Sequence, residues 1–174
     1  MSRARPTLLL LTLLLAIPLT VCAGVPPLRT VPGVDLVRYA GSWHEIARYP
    51  NIFQKGCRDA TATYTLRPDG EMTVVNRCLK GAEGKSAEAK GRAWVNEPPD
   101  TARLKVTFFW PFRSDYWIID LGEQYDFAVV GTPDREYLWI LSRTPTMTTE
   151  LYAGILERLR QQGFDPGKLL KNGQ

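Results

Sequence analysis

The chain has 174 residues and a formal net charge of +4. This length suits one domain with a substantial core and is short for two. Arg3 and Arg5 account for two of the 22 basic residues, and the remaining 20 nearly balance the 18 acidic ones. Nucleic-acid binding requires a basic face or stripe, and the sequence has no such cluster, so no nucleic-acid partner is predicted.

The first 23 residues have the pattern of an export signal peptide. Arg3 and Arg5 precede the leucine-rich run 8–15, and small residues follow it. A membrane-spanning helix is the alternative, but Pro18 breaks an apolar run of about 19 residues, and a span needs about 20. We therefore expect residues 24–35 to form a proline-stiffened linker and residues 36–174 to form the exported domain.

Cys22 lies where this signal peptide ends, and two cleavage sites are open. Residues 19–22 (LTVC) approximate the box in front of a lipid-modified cysteine, although Val21 fits that box poorly. A cut after Ala23 also fits the ordinary small-x-small pattern. Cleavage before Cys22 would give an acylated, lipid-anchored protein whose linker holds the domain off the membrane. Cleavage after Ala23 would give a free one.

From Trp43 onward, short segments with alternating apolar and polar residues are separated by turn residues. The alternation is clear in 58–66, where Ala60, Ala62 and Tyr64 share one face. Strands are predicted at 43–49, 58–66, 71–79, 87–96, 102–109, 115–121, 125–131 and 137–143. Their short connections predict an all-β fold, an eight-stranded antiparallel up-and-down barrel, because closure leaves no free sheet edge.

After the strands, the apolar period changes to three or four residues in 146–164. This period predicts one C-terminal α-helix packed outside the barrel, capped by Thr148 or Thr149 and ended by Gly163. A last edge strand is predicted within 167–171.

Cys57 and Cys78 are the two cysteines of the predicted domain. The turn at 67–70 places them almost opposite each other in a hairpin, close to the separation that a disulfide needs. Export permits oxidation, so we predict a Cys57–Cys78 disulfide, with two free buried thiols as the alternative.

Four segments carry a family resemblance: 39–50 (YAGSWHEIARYP), 61–70 (TATYTLRPDG), 104–112 (LKVTFFWPF) and 137–145 (YLWILSRTP). Together they resemble the lipocalins, and more narrowly the bacterial outer-membrane lipocalins, over about residues 36–170. His44 stands where the family usually has tyrosine, and the family's middle motif is blurred at 123–127.

The resemblance implies a structural plug at one barrel end, made by Gly41, Trp43 and Arg143. In the family the arginine stacks on the tryptophan ring and donates to main-chain carbonyl groups. These residues are therefore not expected to contact ligand.

An eight-stranded barrel has room for one small ligand. Counting alternate residues back from Arg143 predicts a mostly apolar lining, suited to a lipid chain with a polar end. The predicted lining residues are Ala62, Tyr64, Val74, Leu104, Val106, Phe108, Tyr116, Ile118, Phe127, Val129, Trp139 and Leu141. The same residues could instead fill the barrel as core, and the resemblance favours the cavity.

The connections after the first, third, fifth and seventh strands form the mouth, at the end opposite Trp43. Phe53, Trp110 and Phe112 lie in them. The flanking cations are Lys55, Lys80, Lys85 and Arg113. Aromatic residues with flanking cations suit a membrane interface or a lipid headgroup, with Phe53 and Phe112 folded back over the cavity as the alternative.

The resemblance implies a non-enzymatic protein that stores or transports lysophospholipid or fatty acid, as monomer or homodimer. Its expected place is the periplasmic side of the bacterial outer membrane, anchored through Cys22, with a soluble periplasmic or secreted protein as the alternative. Other functions left open are a binder of haem, through His44, or of another hydrophobic molecule, and a lipid- or pigment-modifying enzyme. The sequence offers no evident Ser/His/Asp set, so no enzyme is predicted. It offers no zinc site either, and no cofactor is predicted.

Overall fold

The structure is a computed structural model that describes residues 26–172. The predicted signal peptide and the lipidation site at Cys22 lie outside the described residues. Between residues 26 and 172, no helix is both long and apolar enough to cross a membrane.

Eight antiparallel strands close into a barrel. Each strand pairs with the next in sequence, and β1 pairs with both β2 and β8, which closes the sheet. The strands are β1 Gly41–Arg48, β2 Cys57–Leu66, β3 Met72–Lys80, β4 Lys85–Val95, β5 Arg103–Phe109, β6 Phe112–Leu121, β7 Phe127–Gly131 and β8 Leu138–Ser142. The predicted all-β barrel is confirmed.

A ninth strand, β9 (Leu170–Lys171), pairs with the last residues of β1. The first half of β1 pairs with β2, so β9 covers the edge of β1 that β2 leaves free. This pairing confirms the predicted edge strand, which is only two residues long.

Two helices accompany the barrel. The predicted C-terminal helix is α2 (Thr149–Gln161), and Thr148 caps it by accepting from the Leu151 N–H. Its buried residues Ile155 and Leu159 pack on the outside of the barrel. A short helix, α1 (Leu36–Tyr39), precedes β1 and was not predicted, because four residues are too few to show a helical period.

Residues 26–35 pack against the barrel, from the outer cluster at Leu28 to the inner cluster at Val34, and the prediction of a linker at 24–35 is wrong for this part. Leu28 and Val34 are buried. The Val31 N–H donates to the Ile118 carbonyl at 3.0 Å, and the Val34 N–H donates to Thr101 Oγ1 at 2.7 Å. Burial of two apolar side chains and these hydrogen bonds stabilise the segment against the barrel wall.

Two apolar clusters form the core. The inner cluster fills part of the barrel and contains Trp43, Tyr64 and Ile118. The outer cluster lies between the barrel and α2 and contains Ile140 and Ile155. Only the inner cluster can contribute to a site within the barrel.

Candidate functional site

The barrel end at Trp43, the closed end, is filled by stacked side chains. Trp43 is fully buried, and its indole N–H donates to the Tyr39 carbonyl at 2.9 Å. The Arg143 guanidinium carbon lies 3.7 Å from the centre of the Trp43 ring, which is a close cation–π contact.

Arg143 also ties α1 to β1 through its N–H groups. They donate to the carbonyls of Arg38 at 2.8 Å, Ala40 at 2.9 Å and Ser42 at 3.0 Å. Burial lowers the pKa of the guanidinium somewhat, but arginine stays charged at neutral pH. Gly41 is required beside it, because its φ is +101° and a Cβ there would lie 3.1 Å from Arg143 Nη1.

Three tyrosine hydroxyls form a hydrogen-bonded group beside this plug. Tyr116 Oη is 2.7 Å from Tyr39 Oη and 2.8 Å from Tyr64 Oη. Burial raises the pKa of all three phenols, that of Tyr64 to about 12, so they are neutral hydrogen-bonding groups at physiological pH. The closed half of the barrel is therefore packed, and these three phenols add no charge to it.

Ten of the twelve predicted lining residues lie in or against the inner cluster. Six of them are buried: Tyr64, Val74, Leu104, Tyr116, Ile118 and Leu141. The other four, Ala62, Val106, Phe108 and Trp139, are only partly buried. The inner wall is thus filled at these six positions and accessible at the other four.

The prediction is wrong for Phe127 and Val129, which belong to the outer cluster beneath α2. The inward residues of β7 are Ala128 and Val130, which pair with Leu141 and Trp139 of β8 and join the inner cluster. A one-residue error in register exchanges the two faces of a strand, and the register of β7 cannot be obtained from its own alternation.

A buried ion pair lies on the inner wall of β1. A bulge between Glu45 and Ala47 lets both Glu45 and Arg48 pair with residues of the inner face, Leu141 and Trp139. Arg48 Nη1 donates to Glu45 Oε1 at 3.1 Å, and the residues are only 7% and 4% exposed. Sequence reasoning missed Arg48, because the bulge breaks the alternation that it relied on.

Gln54 forms a hydrogen bond with this ion pair from the mouth side. It lies in the β1–β2 connection, donates to Glu45 Oε2 at 2.6 Å, and accepts from the Trp139 indole N–H at 2.8 Å. Burial raises the pKa of Glu45 even though Gln54 and Arg48 stabilise its charge. Among the described residues, Arg48 Nε and Asn76 Oδ1 are buried without a hydrogen-bond partner. The inner wall therefore offers polar groups beside an apolar surface.

The mouth is the open end of the barrel and is formed by the β1–β2, β3–β4, β5–β6 and β7–β8 connections. The Phe53 ring lies 5.9 Å from that of Tyr137, which stacks at 6.0 Å on Trp139. Trp110 and Phe112 are each 77% exposed, so their side chains do not fold back into the barrel. The aromatic contacts lead from the mouth to the inner wall.

The disulfide between Cys57 and Cys78 is present, with Cα atoms 5.4 Å apart, as predicted. Cys57 pairs in register with Lys80, so the bridge joins diagonal neighbours of β2 and β3. It fixes the end of the β1–β2 connection at the mouth.

Two polar residues, one of them the candidate haem ligand His44, lie outside the barrel interior. His44 comes between inward-facing Trp43 and Glu45 on β1 and points outward. Asp120 forms an ion pair with Arg158 of α2, at 2.7 Å. Within residues 26–172, no group of three or more His, Cys, Asp or Glu side chains is placed to hold a metal ion.

A closed barrel with one plugged end, one open end and an apolar inner wall defines the class of lipocalin-type ligand-binding barrels. The family model described as a lipocalin-like domain matches residues 34–174 of this chain. The outer membrane lipoprotein Blc of Escherichia coli K12 is 41% identical over 152 residues, which cover 86% of each chain. Temperature-induced lipocalin-1 of Arabidopsis thaliana is 40% identical over 156 residues, 84% of this chain and 83% of that one.

Among solved structures, insecticyanin of the tobacco hornworm Manduca sexta has the same fold. The TM-score is 0.70 at 21% identity, over 87% of this chain and 86% of that one. The chain belongs to the lipocalin family, and the predicted resemblance is confirmed.

Proposed function

We propose that this lipocalin binds a single-chain amphiphilic lipid, a lysophospholipid or a fatty acid, in the open half of its barrel. The protein stores or carries this lipid without changing it chemically. The observation that carries the proposal is the position of Trp139. It is an accessible apolar residue of the inner wall whose indole N–H is held by the polar group of Glu45, Arg48 and Gln54.

An acyl chain would lie against the accessible apolar residues Val106, Phe108 and Trp139. Each buried methylene contributes about 0.8 kcal/mol, so a long chain can offset the cost of association. The polar end would remain near the open end, where Arg48 Nε still has a hydrogen to donate. A charged donor is suited to the phosphate of a lysophospholipid or the carboxylate of a fatty acid.

The proposed place of action is the bacterial outer membrane. The Escherichia coli relative is named an outer membrane lipoprotein, and Cys22 supplies a residue that can be acylated. Binding of haem through His44 is less well supported, because this side chain points away from the barrel interior.

Mass spectrometry of lipids extracted from the purified exported protein tests the proposal. We expect one class of single-chain lipid at near-stoichiometric amount, depleted when Trp139 is replaced by Arg. A matched control is Trp94→Arg, on the outward face of β4 beside inward Ala93. A protein that carries no lipid, or carries it equally with Trp139→Arg, would contradict the proposal.

A further inference from the structure

Large apolar side chains are concentrated at the open end. Among the residues that the structure describes, seven large hydrophobic side chains are exposed, and five of them lie in or beside two connections at this end. They are Ile52 (81% exposed), Phe53 (64%), Phe109, Trp110 and Phe112 (77% each). We call these five the rim. A patch of this kind marks an interaction surface rather than ordinary surface exposure.

Positive charge surrounds the rim. The four connections at this end, with the residues that flank them, carry five bases, Lys55, Lys80, Lys85, Arg113 and Arg135, against three acids, Glu83, Asp134 and Glu136. Aromatic side chains with flanking cations match the boundary between lipid headgroups and acyl chains, and the excess of positive charge matches anionic lipid.

The N-terminal segment points to the same end. The Pro26 carbonyl accepts a hydrogen bond from Arg135 in the β7–β8 connection, and Arg29 N donates to Gln162 Oε1 just after α2. From there the segment runs to the closed end, where Asp35 N donates to Tyr125 Oη. The chain therefore reaches the barrel at its open end. Cys22 precedes Pro26 by four residues, which span about 14 Å at most.

We propose that the open end docks on an anionic lipid membrane, with the rim inserted among the headgroups and the mouth facing the bilayer. A lipid group on Cys22 would hold this end, and not the plugged end, against the membrane. The proposal rests on the proposed lipid binding in one respect: a docked mouth lets an acyl chain pass between bilayer and barrel without crossing water. The docking itself rests on the rim, the charges and the course of residues 26–35.

Quenching of tryptophan emission by brominated lipid tests the orientation. The exported protein is mixed with vesicles of phosphatidylglycerol and phosphatidylcholine whose acyl chains carry bromine. All variants contain Trp139→Phe, so that lipid within the barrel does not contribute. We expect strong quenching of this parent protein, and a loss of more than half of it when Trp110→Phe is added. The matched control is Trp94→Phe, near the closed end of β4, which should leave the quenching unchanged.

Two outcomes would overturn the docking. In one, the protein floats with the vesicles but Trp110 is not quenched, or the protein does not bind them at all. In the other, sedimentation shows a dimer in which Trp110 is shielded from brominated lipid, which would make a second copy of the chain the partner of the rim. Either outcome would show that the docking is wrong. The lipid-binding function would still stand if lipid can be extracted from the purified protein in which Trp139 is intact. Quenching of Trp110 in a protein that carries no lipid would support the docking and contradict the lipid-binding function.

Discussion

At the scale of single residues, the closed end depends on three residues in mutual contact, Gly41, Trp43 and Arg143. Arg143 stacks on Trp43 and donates to carbonyls of α1 and β1. Gly41 leaves the space that the guanidinium occupies. None of the three has a free polar group directed at the accessible part of the inner wall, so their contribution is to stability.

Arg143→Ala should lower the free energy of unfolding by about 1–3 kcal/mol, because the stack is lost and several carbonyls lose their donor. Urea unfolding measures this, and lipid affinity should stay nearly unchanged. Arg92→Ala is the control, because Arg92 forms an exposed ion pair with Glu71 and should have little effect. A large affinity loss with unchanged stability would place Arg143 in the binding site instead.

Glu45 should give stability a pH dependence of its own. Burial raises the pKa of this carboxyl, so the folded protein holds its proton more tightly than the unfolded chain. Its contribution is therefore most favourable below the unfolded pKa and is lost as pH rises through the folded pKa. Above about pH 4, the free energy of unfolding should fall more steeply with rising pH in the native protein than in Glu45→Gln. Parallel pH profiles for the two proteins would refute this.

At the scale of elements, the β1–β2 connection links the mouth to the inner wall. Gln54 reaches from it to Glu45 and Trp139, and the Cys57–Cys78 bridge holds its end to β3. The bridge closes a loop with a sequence separation of 21 residues.

Removing the disulfide by Cys57→Ser with Cys78→Ala should destabilise the protein by about 3 kcal/mol in the chain-entropy model. Thiol labelling of the denatured, non-reduced protein should leave both cysteines of the native sequence unmodified. Complete labelling of both would show that the exported protein does not contain the bridge. Equal stability of the native and double-variant proteins would deny it an energetic role.

The elements also show how far sequence reasoning extends. All eight barrel strands and α2 could be predicted, because their apolar periods and the turn residues between them are local. The inward face of β7 could not, since it depends on pairing with β8. The inward position of Arg48 depends on a bulge, and the docking of residues 26–35 depends on Leu28 and Val34, which follow no period.

The candidate site divides in the same way. The partners of Trp43 and Arg143 follow from a motif with fixed strand positions, whereas the Gln54 contacts come from an irregular connection. Such contacts are set by tertiary packing and leave no periodic signal in the sequence. For this reason ten of the twelve predicted wall residues lie in or against the inner cluster, whereas Arg48 and Gln54 could not be predicted.

At the scale of the whole molecule, the barrel has a packed half and an accessible half. Trp43, Arg143 and the tyrosine hydroxyls fill the closed end, and Trp139 lies on the accessible wall below the mouth. We infer that a lipid chain enters this accessible half.

Titration of the lipid-free protein with lysophospholipids or fatty acids of increasing chain length, followed by tryptophan emission, tests whether the chain enters the barrel. We predict a saturating emission change that is largely lost in Trp139→Phe and retained in Trp94→Phe. Affinity should rise with chain length, because each added methylene is buried. An affinity independent of chain length, or a full signal in Trp139→Phe, would show that the barrel is filled and that the lipid binds elsewhere.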